Sequence, residues 1–260
     1  MRLQVDGVGL EAAWWGPPAE AAPTLVLLHE GLGSVSLWRD IPARLAALTA
    51  CGVFAYSRPG HGWSDPAPLP RPLSYMHDEA RRLPAVLDTA GIRRTVLVGH
   101  SDGASIAAIY SGSHYDPRVR GLTLLAPHFF VEDESIRGIE AARTAYGSGK
   151  LRDLLAPYHQ DVDATFWGWN RAWLDPAFRS WRIDEFIPYI RIPTLLIQGD
   201  ADQYGTLAQL QVAEELAYGP VETRIVEGAR HSPHLEAPGP VLGAIAGFVH
   251  DLLSVHEAAL

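Results

Sequence analysis

Gly99-His100-Ser101-Asp102-Gly103 places a serine between two glycines, each two residues away. Residues 95–98 before it form a short apolar run that suits a strand, and residues 103–112 after it suit a helix. A serine on so sharp a strand-to-helix turn sits in strained backbone, and the flanking glycines leave room for the adjacent strand and helix. The turn lifts the hydroxyl above the sheet and aims the first N–H groups of the helix at a developing oxyanion. The chemistry such a pattern serves is nucleophilic attack on a carbonyl, with a covalent intermediate on Ser101. The five-residue pattern alone is weak, since roughly 0.1 matches arise by chance in a chain of this composition. Its context, a strand before and a helix after, is what carries the inference.

The elements that must position Ser101 follow a regular plan. Residues 3–5 and 10–15, around Gly7 and Gly9, read as a hairpin. Short apolar runs at 25–28, 53–56, 95–98, 122–125, 194–197 and 223–226 suit strands buried on both faces, as in a parallel sheet. Helix candidates lie between them at about 36–49, 74–90, 103–112, 206–217 and 239–253, and Pro84 predicts a kink or a fresh helix start in the second. This alternation implies a doubly wound α/β architecture. Residues 128–190 break the pattern. Positions 158–189 hold nine aromatics, against 9% aromatic content in the whole chain. This stretch reads as a helical insertion whose large side chains make a small core of their own and line an apolar pocket. The Pro-rich stretch 65–74 reads as a stiff surface loop.

Composition narrows the function classes. A chain of 260 residues with 47% hydrophobic and 20% charged residues is globular, of one to two domains, and long enough to bury a real core. A net charge of −9 argues against general affinity for nucleic acid or anionic lipid. One cysteine, Cys51, allows no intrachain disulfide, and the first residues lack the apolar core of a secretory signal. No run approaches 18 apolar residues. A cytoplasmic setting without a membrane partner is the expectation. Oligomeric state is not legible.

Four further stretches resemble the α/β-hydrolase fold superfamily across nearly the whole chain. Residues 25–33 (LVLLHEGLG) resemble its strand and oxyanion loop, and 56–64 (YSRPGHGWS) its R-G-x-G-x-S turn. Residues 192–202 (IPTLLIQGDAD) resemble its acid-bearing strand end, and 228–238 (GARHSPHLEAP) its histidine region. The resemblance implies an eight-stranded, mostly parallel sheet with an N-terminal antiparallel hairpin. It also implies a core of residues 1–127 and 190–260, with 128–189 as a helical, aromatic-rich cap. It implies Ser101 as nucleophile, His231 as base and Asp202 as the acid that orients it. Asp200, Glu132 and Asp133 are rival acids. The implied oxyanion donors are the backbone N–H groups of Asp102 and Gly31. No cofactor is implied. His231-x-x-His234 has metal-like spacing, but no third-ligand pattern accompanies it.

The chain departs from the family at two places. Glu30 stands where glycine is usual, and Asp102 where a small or apolar residue is usual. Either Glu30 turns outward or pairs with Arg58 or His29 while Asp102 serves the helix dipole, or one or both shape a polar or cationic substrate subsite. The Ser-Asp-Gly elbow is similar to that of valacyclovirase, a family member whose aspartate receives an ammonium. The expected lining is Glu30, His100 and His128 with Trp167, Trp169 and Trp173 from the insertion. The resulting expectation is a Ser-His-Asp, carboxylesterase-like hydrolase of a small ester, thioester, lactone or amide. Alternatives are a C–C bond hydrolase of the meta-cleavage type and a slow-turnover receptor on the same fold. Dehalogenase and epoxide-hydrolase relatives carry aspartate where this chain has Ser101.

Overall fold

The computed structural model describes residues 1–257. Eight strands form one sheet: β1 (Arg2–Val5), β2 (Val8–Trp15), β3 (Thr24–Leu28), β4 (Gly52–Tyr56), β5 (Thr95–His100), β6 (Val119–Leu125), β7 (Thr194–Gly199) and β8 (Val221–Val226). Their order is β1-β2-β4-β3-β5-β6-β7-β8. The β1–β2 and β2–β4 pairs are antiparallel and every later pair is parallel. Asp6 and Gly7 turn the first hairpin, both with positive φ (49° and 79°), the geometry a two-residue type I′ turn requires.

The helices are α1 (Ile41–Thr49), α2 (Tyr75–Thr89), α3 (Asp102–Ser113), α4 (Asp133–Gly147), α5 (Lys150–Leu155), α6 (Val162–Trp173), α7 (Ala208–Leu216), α8 (Pro233–Glu236) and α9 (Pro238–Glu257). Alternating strand residues divide the core in two. Val26, Leu28, Leu97 and Leu196 face the layer that holds α2, α3 and the 128–189 segment. Leu25, Leu27, Val96, Val98, Leu195 and Ile197 face α1 and α9. The period of two within continuous apolar runs is what a sheet covered on both faces demands.

Three sequence expectations need correction. β8 is an edge strand, partly exposed along its length rather than buried on both faces, because nothing pairs beyond it. No fresh helix starts at Pro84: α2 runs unbroken through it, with Leu83, Val86 and Leu87 anchored in the core on either side. The stretch after residue 35 is a 3₁₀ turn (Val35–Trp38), then a break at Arg39 with φ 54°, then α1. Pro42 in the first turn suits a helix start.

The strand order reverses direction at β3 and β5, which lie side by side. Loops leaving the carboxyl ends of two such strands diverge and open a crevice, the usual ligand position in open α/β sheets. The loop after β3 begins at His29, and the turn after β5 is Ser101.

Candidate active site

Ser101 has φ 53° and ψ −118°, between the end of β5 and the start of α3. A Cβ on Gly99 would overlap the Gly103 carbonyl, and a Cβ on Gly103 would overlap the Leu28 carbonyl. Both glycines are therefore forced by close backbone approach. The second holds α3 directly against β3, the strand that leads into the 29–33 loop.

Ser101 Oγ donates to His231 Nε2 at 2.9 Å. His231 Nδ1 lies 2.9 Å from both carboxylate oxygens of Asp202. A carboxylate only accepts, so Nδ1 carries the proton and Nε2 is free to take one from Ser101. Burial alone would raise the Asp202 carboxyl, but His231 and the Tyr204 N–H at 2.9 Å hold it below its ordinary value. The rival acids are engaged elsewhere. Asp200 accepts the Gly228 N–H at 2.7 Å. Glu132 binds Thr206 and Gln209, and Asp133 pairs with Arg179.

Gly31 and Asp102 both line the cavity above Ser101. Among the described residues neither backbone N–H donates to a protein acceptor, whereas the Leu32 N–H is taken by Glu30 Oε2 at 2.7 Å. The loop is braced from below. Arg58 donates to the His29 and Glu30 carbonyls at 2.7 and 2.9 Å, and its own N–H donates to His29 Nε2. The resemblance-derived R-G-x-G-x-S turn thus serves as the support of the 29–33 loop.

The cavity, about 270 Å³, is lined by Glu30, His100, Asp102, His128, Trp169, Trp173 and Tyr204, with Ile139, Leu151 and Leu155 from the insertion. A Cβ on Gly31 would overlap Trp169 Nε1, so the indole lies directly on this glycine. Trp173 sits one helical turn further along α6 on the same face. Trp167 does not line the cavity, contrary to the sequence reading. It is about 200° around the helix from Trp169 and packs outside, between Arg143 and Arg171 and against Tyr146 and Phe166.

His100 lines the cavity, is buried, and donates through Nε2 to the His231 carbonyl at 2.7 Å, so it also braces the loop of the histidine. His128 is buried between the rings of Trp173 and His231, and burial, reinforced by His231, drives it down to about 3. His234 packs against Trp38 and His100, likewise lowered to about 3, first by burial. Among the described residues no group of three or more His, Cys, Asp or Glu could hold a metal ion.

The two carboxyls behave differently. Glu30 does not turn outward; its carboxylate accepts the Leu32 N–H, and Arg58 meets its carbonyl instead. Burial raises the Glu30 carboxyl to about 7 against the opposing effects of Leu32 and Arg58. Asp102 is 1% exposed. Its Oδ2 accepts the Tyr75 hydroxyl at 2.5 Å and lies 3.8 Å from Arg58, while its Oδ1 has no partner. Burial raises it, with Arg58 and Tyr75 opposing. Tyr75 and Tyr204 escaped the sequence reading. Neither stands in a motif that signals its place. Tyr204 could have been suspected from its position two residues after Asp202, where a short turn folds its ring to 4.7 Å from His231.

A family model described as the alpha/beta hydrolase family matches residues 25–244. This chain belongs to the alpha/beta hydrolase family. It is 25% identical to human monoglyceride lipase over 264 aligned positions, covering 91% of this chain and 84% of that one. It is 30% identical to epoxide hydrolase 2 of Siraitia grosvenorii over 146 residues, 56% of this chain and 44% of the relative, so it spans under half that protein's length. Among solved structures, the esterase RhEst1 from Rhodococcus sp. ECU1013 is similar with a TM-score of 0.74 at 22% identity, covering 96% of this chain and 98% of that one. At that identity the likeness speaks to the fold of this family member. No helix among the described residues is long and apolar enough to cross a membrane.

Proposed function

We propose that this chain is a serine hydrolase that cleaves a small, uncharged or cationic carboxylic ester or related acyl compound through an acyl-enzyme on Ser101. The observation that carries the reading is the unbroken line Asp202–His231–Ser101, at 2.9 Å per link, below two unengaged backbone N–H groups. His231 takes the Ser101 proton as Oγ attacks the acyl carbon. Asp202 holds the imidazole and stabilises the imidazolium. The N–H groups of Gly31 and Asp102 receive the oxyanion. His231 then returns the proton to the leaving group, and water repeats the sequence to release the acid. No cofactor is required for any of these steps.

The names of relatives support acyl chemistry: a monoglyceride lipase in the sequence comparison and an esterase among similar structures. An epoxide-opening route of the kind that starts from a carboxylate nucleophile is not favoured, because a hydroxyl occupies that position. In the cap reading, residues 128–189 close the cavity and its volume limits the acyl group to a small one. Glu30 and Asp102 set an acidic wall that repels carboxylate-bearing substrates.

The test is the initial rate of wild type and Ser101→Ala on a short-chain p-nitrophenyl ester at neutral pH. The expected result is turnover by wild type and a fall of about 10³-fold or more in the variant. Equal slow rates in both would remove the ester reading, and the same pair assayed on a vinylogous diketone would then test C–C hydrolysis.

A further inference from the structure

A second cavity, about 500 Å³, lies between the 60–71 loop and the insertion, and shares none of the residues that line the cavity above Ser101. One wall is Gly60, Gly62, Ala67 and Arg71; the other is α5 and the first turn of α6. Arg71 is 9% exposed, yet none of its nitrogens makes a hydrogen bond or an ion pair among the described residues. Its guanidinium carbon lies 5.5 Å from the Tyr75 ring, and the buried Glu79 and Asp102 carboxylates act on it only at longer range, without an ion pair, while Arg58 opposes them. Nε is fully buried and unpartnered, and Arg71 lines the cavity. A guanidinium taken out of water without a partner is costly, and such groups persist where an anion meets them.

The opposite wall points the same way. α6 has 12 residues and begins at Val162, and its first residues line the cavity. The Val162 and Asp163 N–H groups have no acceptor, and the positive end of the helix faces the space. The two nearby carboxylates are already engaged. Asp161 accepts the Ala164 N–H at 2.9 Å, and Asp163 pairs with Arg152 and accepts from Tyr146.

We propose that this cavity binds an oxyanion, a phosphate or carboxylate group, between Arg71 and the amino end of α6. The anion bridges the 60–71 loop and the insertion, two parts joined nearby by the His159 imidazole. That ring accepts the Gly62 N–H and donates to the Leu32 carbonyl, both at 2.9 Å. The oxyanion belongs to a separate small acid, since the substrate proposed for Ser101 is uncharged or cationic and the two cavities share no lining residue.

The test is thermal unfolding in inorganic phosphate against sodium chloride at matched ionic strength. Wild type should gain about 3 °C in phosphate once the site is well filled, Arg71→Gln should gain nothing, and Arg71→Lys should keep part of the shift. No phosphate-specific shift in wild type, or a full shift in Arg71→Gln, overturns the proposal. Should Arg71→Gln fail to fold, wild-type crystals soaked in tungstate decide: density against Arg71 and the α6 N–H groups supports the site, and tungstate bound only elsewhere refutes it. Kinetics check that the site is separate from Ser101: phosphate should not compete with the ester substrate, and competitive inhibition at the stabilising concentration would overturn the separate-acid assignment.

Discussion

The Tyr75 hydroxyl donates to Asp102 Oδ2 at 2.5 Å, and receives the Trp173 indole N–H at 3.0 Å. One phenol oxygen thus links α2, the residue after the nucleophile, and the insertion. Tyr75→Phe takes the hydrogen bond from a buried carboxylate, which keeps only the ion pair to Arg58 at 3.8 Å, and leaves a buried indole N–H without an acceptor. The expected cost is about 1–3 kcal/mol of stability, read as a lower urea midpoint with an unchanged slope. A midpoint equal to wild type would show that the three groups are not coupled as described.

Asp102 itself should govern substrate charge more than stability. Asn at this position still accepts from Tyr75 through its amide oxygen, and Arg58 keeps its bonds to the His29 and Glu30 carbonyls, while the charge beside Ser101 is removed. Asp102→Asn should lower the ratio of kcat/KM for aminoacyl against neutral esters by about tenfold, the equivalent of roughly 1.4 kcal/mol. An unchanged ratio would remove Asp102 from substrate selection.

Glu30 makes stability depend on pH in an unusual direction for a carboxyl. Its folded-state value is raised from 4.5 to about 7. Between those limits the folded chain holds a proton that the unfolded chain releases, so stability falls as pH rises through the window and levels off above it. Glu30→Gln keeps an acceptor for the Leu32 N–H and removes the titration. Allowing for partial exposure, the variant should exceed wild type by about 1–3 kcal/mol at pH 8 and by little at pH 4.5. Urea melts at the two pH values check this. A constant difference between variant and wild type would place the titration elsewhere.

Gly31 should tolerate no side chain. Ala at this position should drive Trp169 off the loop and displace the N–H proposed to receive the oxyanion, with a fall in kcat of about 10²–10³-fold. Trp169→Ala in the same chain makes the space. The double variant should recover part of the rate lost by Gly31→Ala, which a purely local backbone effect would not allow.

The sheet was legible because its strands announce themselves as short apolar runs, and the Gly99–Gly103 turn because its glycines answer to backbone clashes rather than to substrate. The choice of Asp202 over Asp200, two residues apart at the same strand end, came from the family pattern; a strand-end turn sends one carboxylate to His231 and the other to Gly228. Trp167 was misplaced because its neighbourhood is aromatic on every face, and composition carries no angle. Period does: Trp169 and Trp173 are one turn apart and Trp167 is not. Tyr75 could not have been found at all. Its partner Asp102 lies 27 residues away, and only the packing of α2 on α3 brings them together.

The contact of Gly103 with the Leu28 carbonyl has a mechanical meaning. It fuses the helix behind Ser101 to the strand that feeds the 29–33 loop, so the serine and the amides proposed to receive the oxyanion travel as one rigid part. The aromatic walls over them hang from a different part, riveted chiefly through side chains such as Tyr75 and His159. A chain assembled this way can exchange or shift its walls, and with them the molecules it admits, without retuning the bond-breaking geometry underneath.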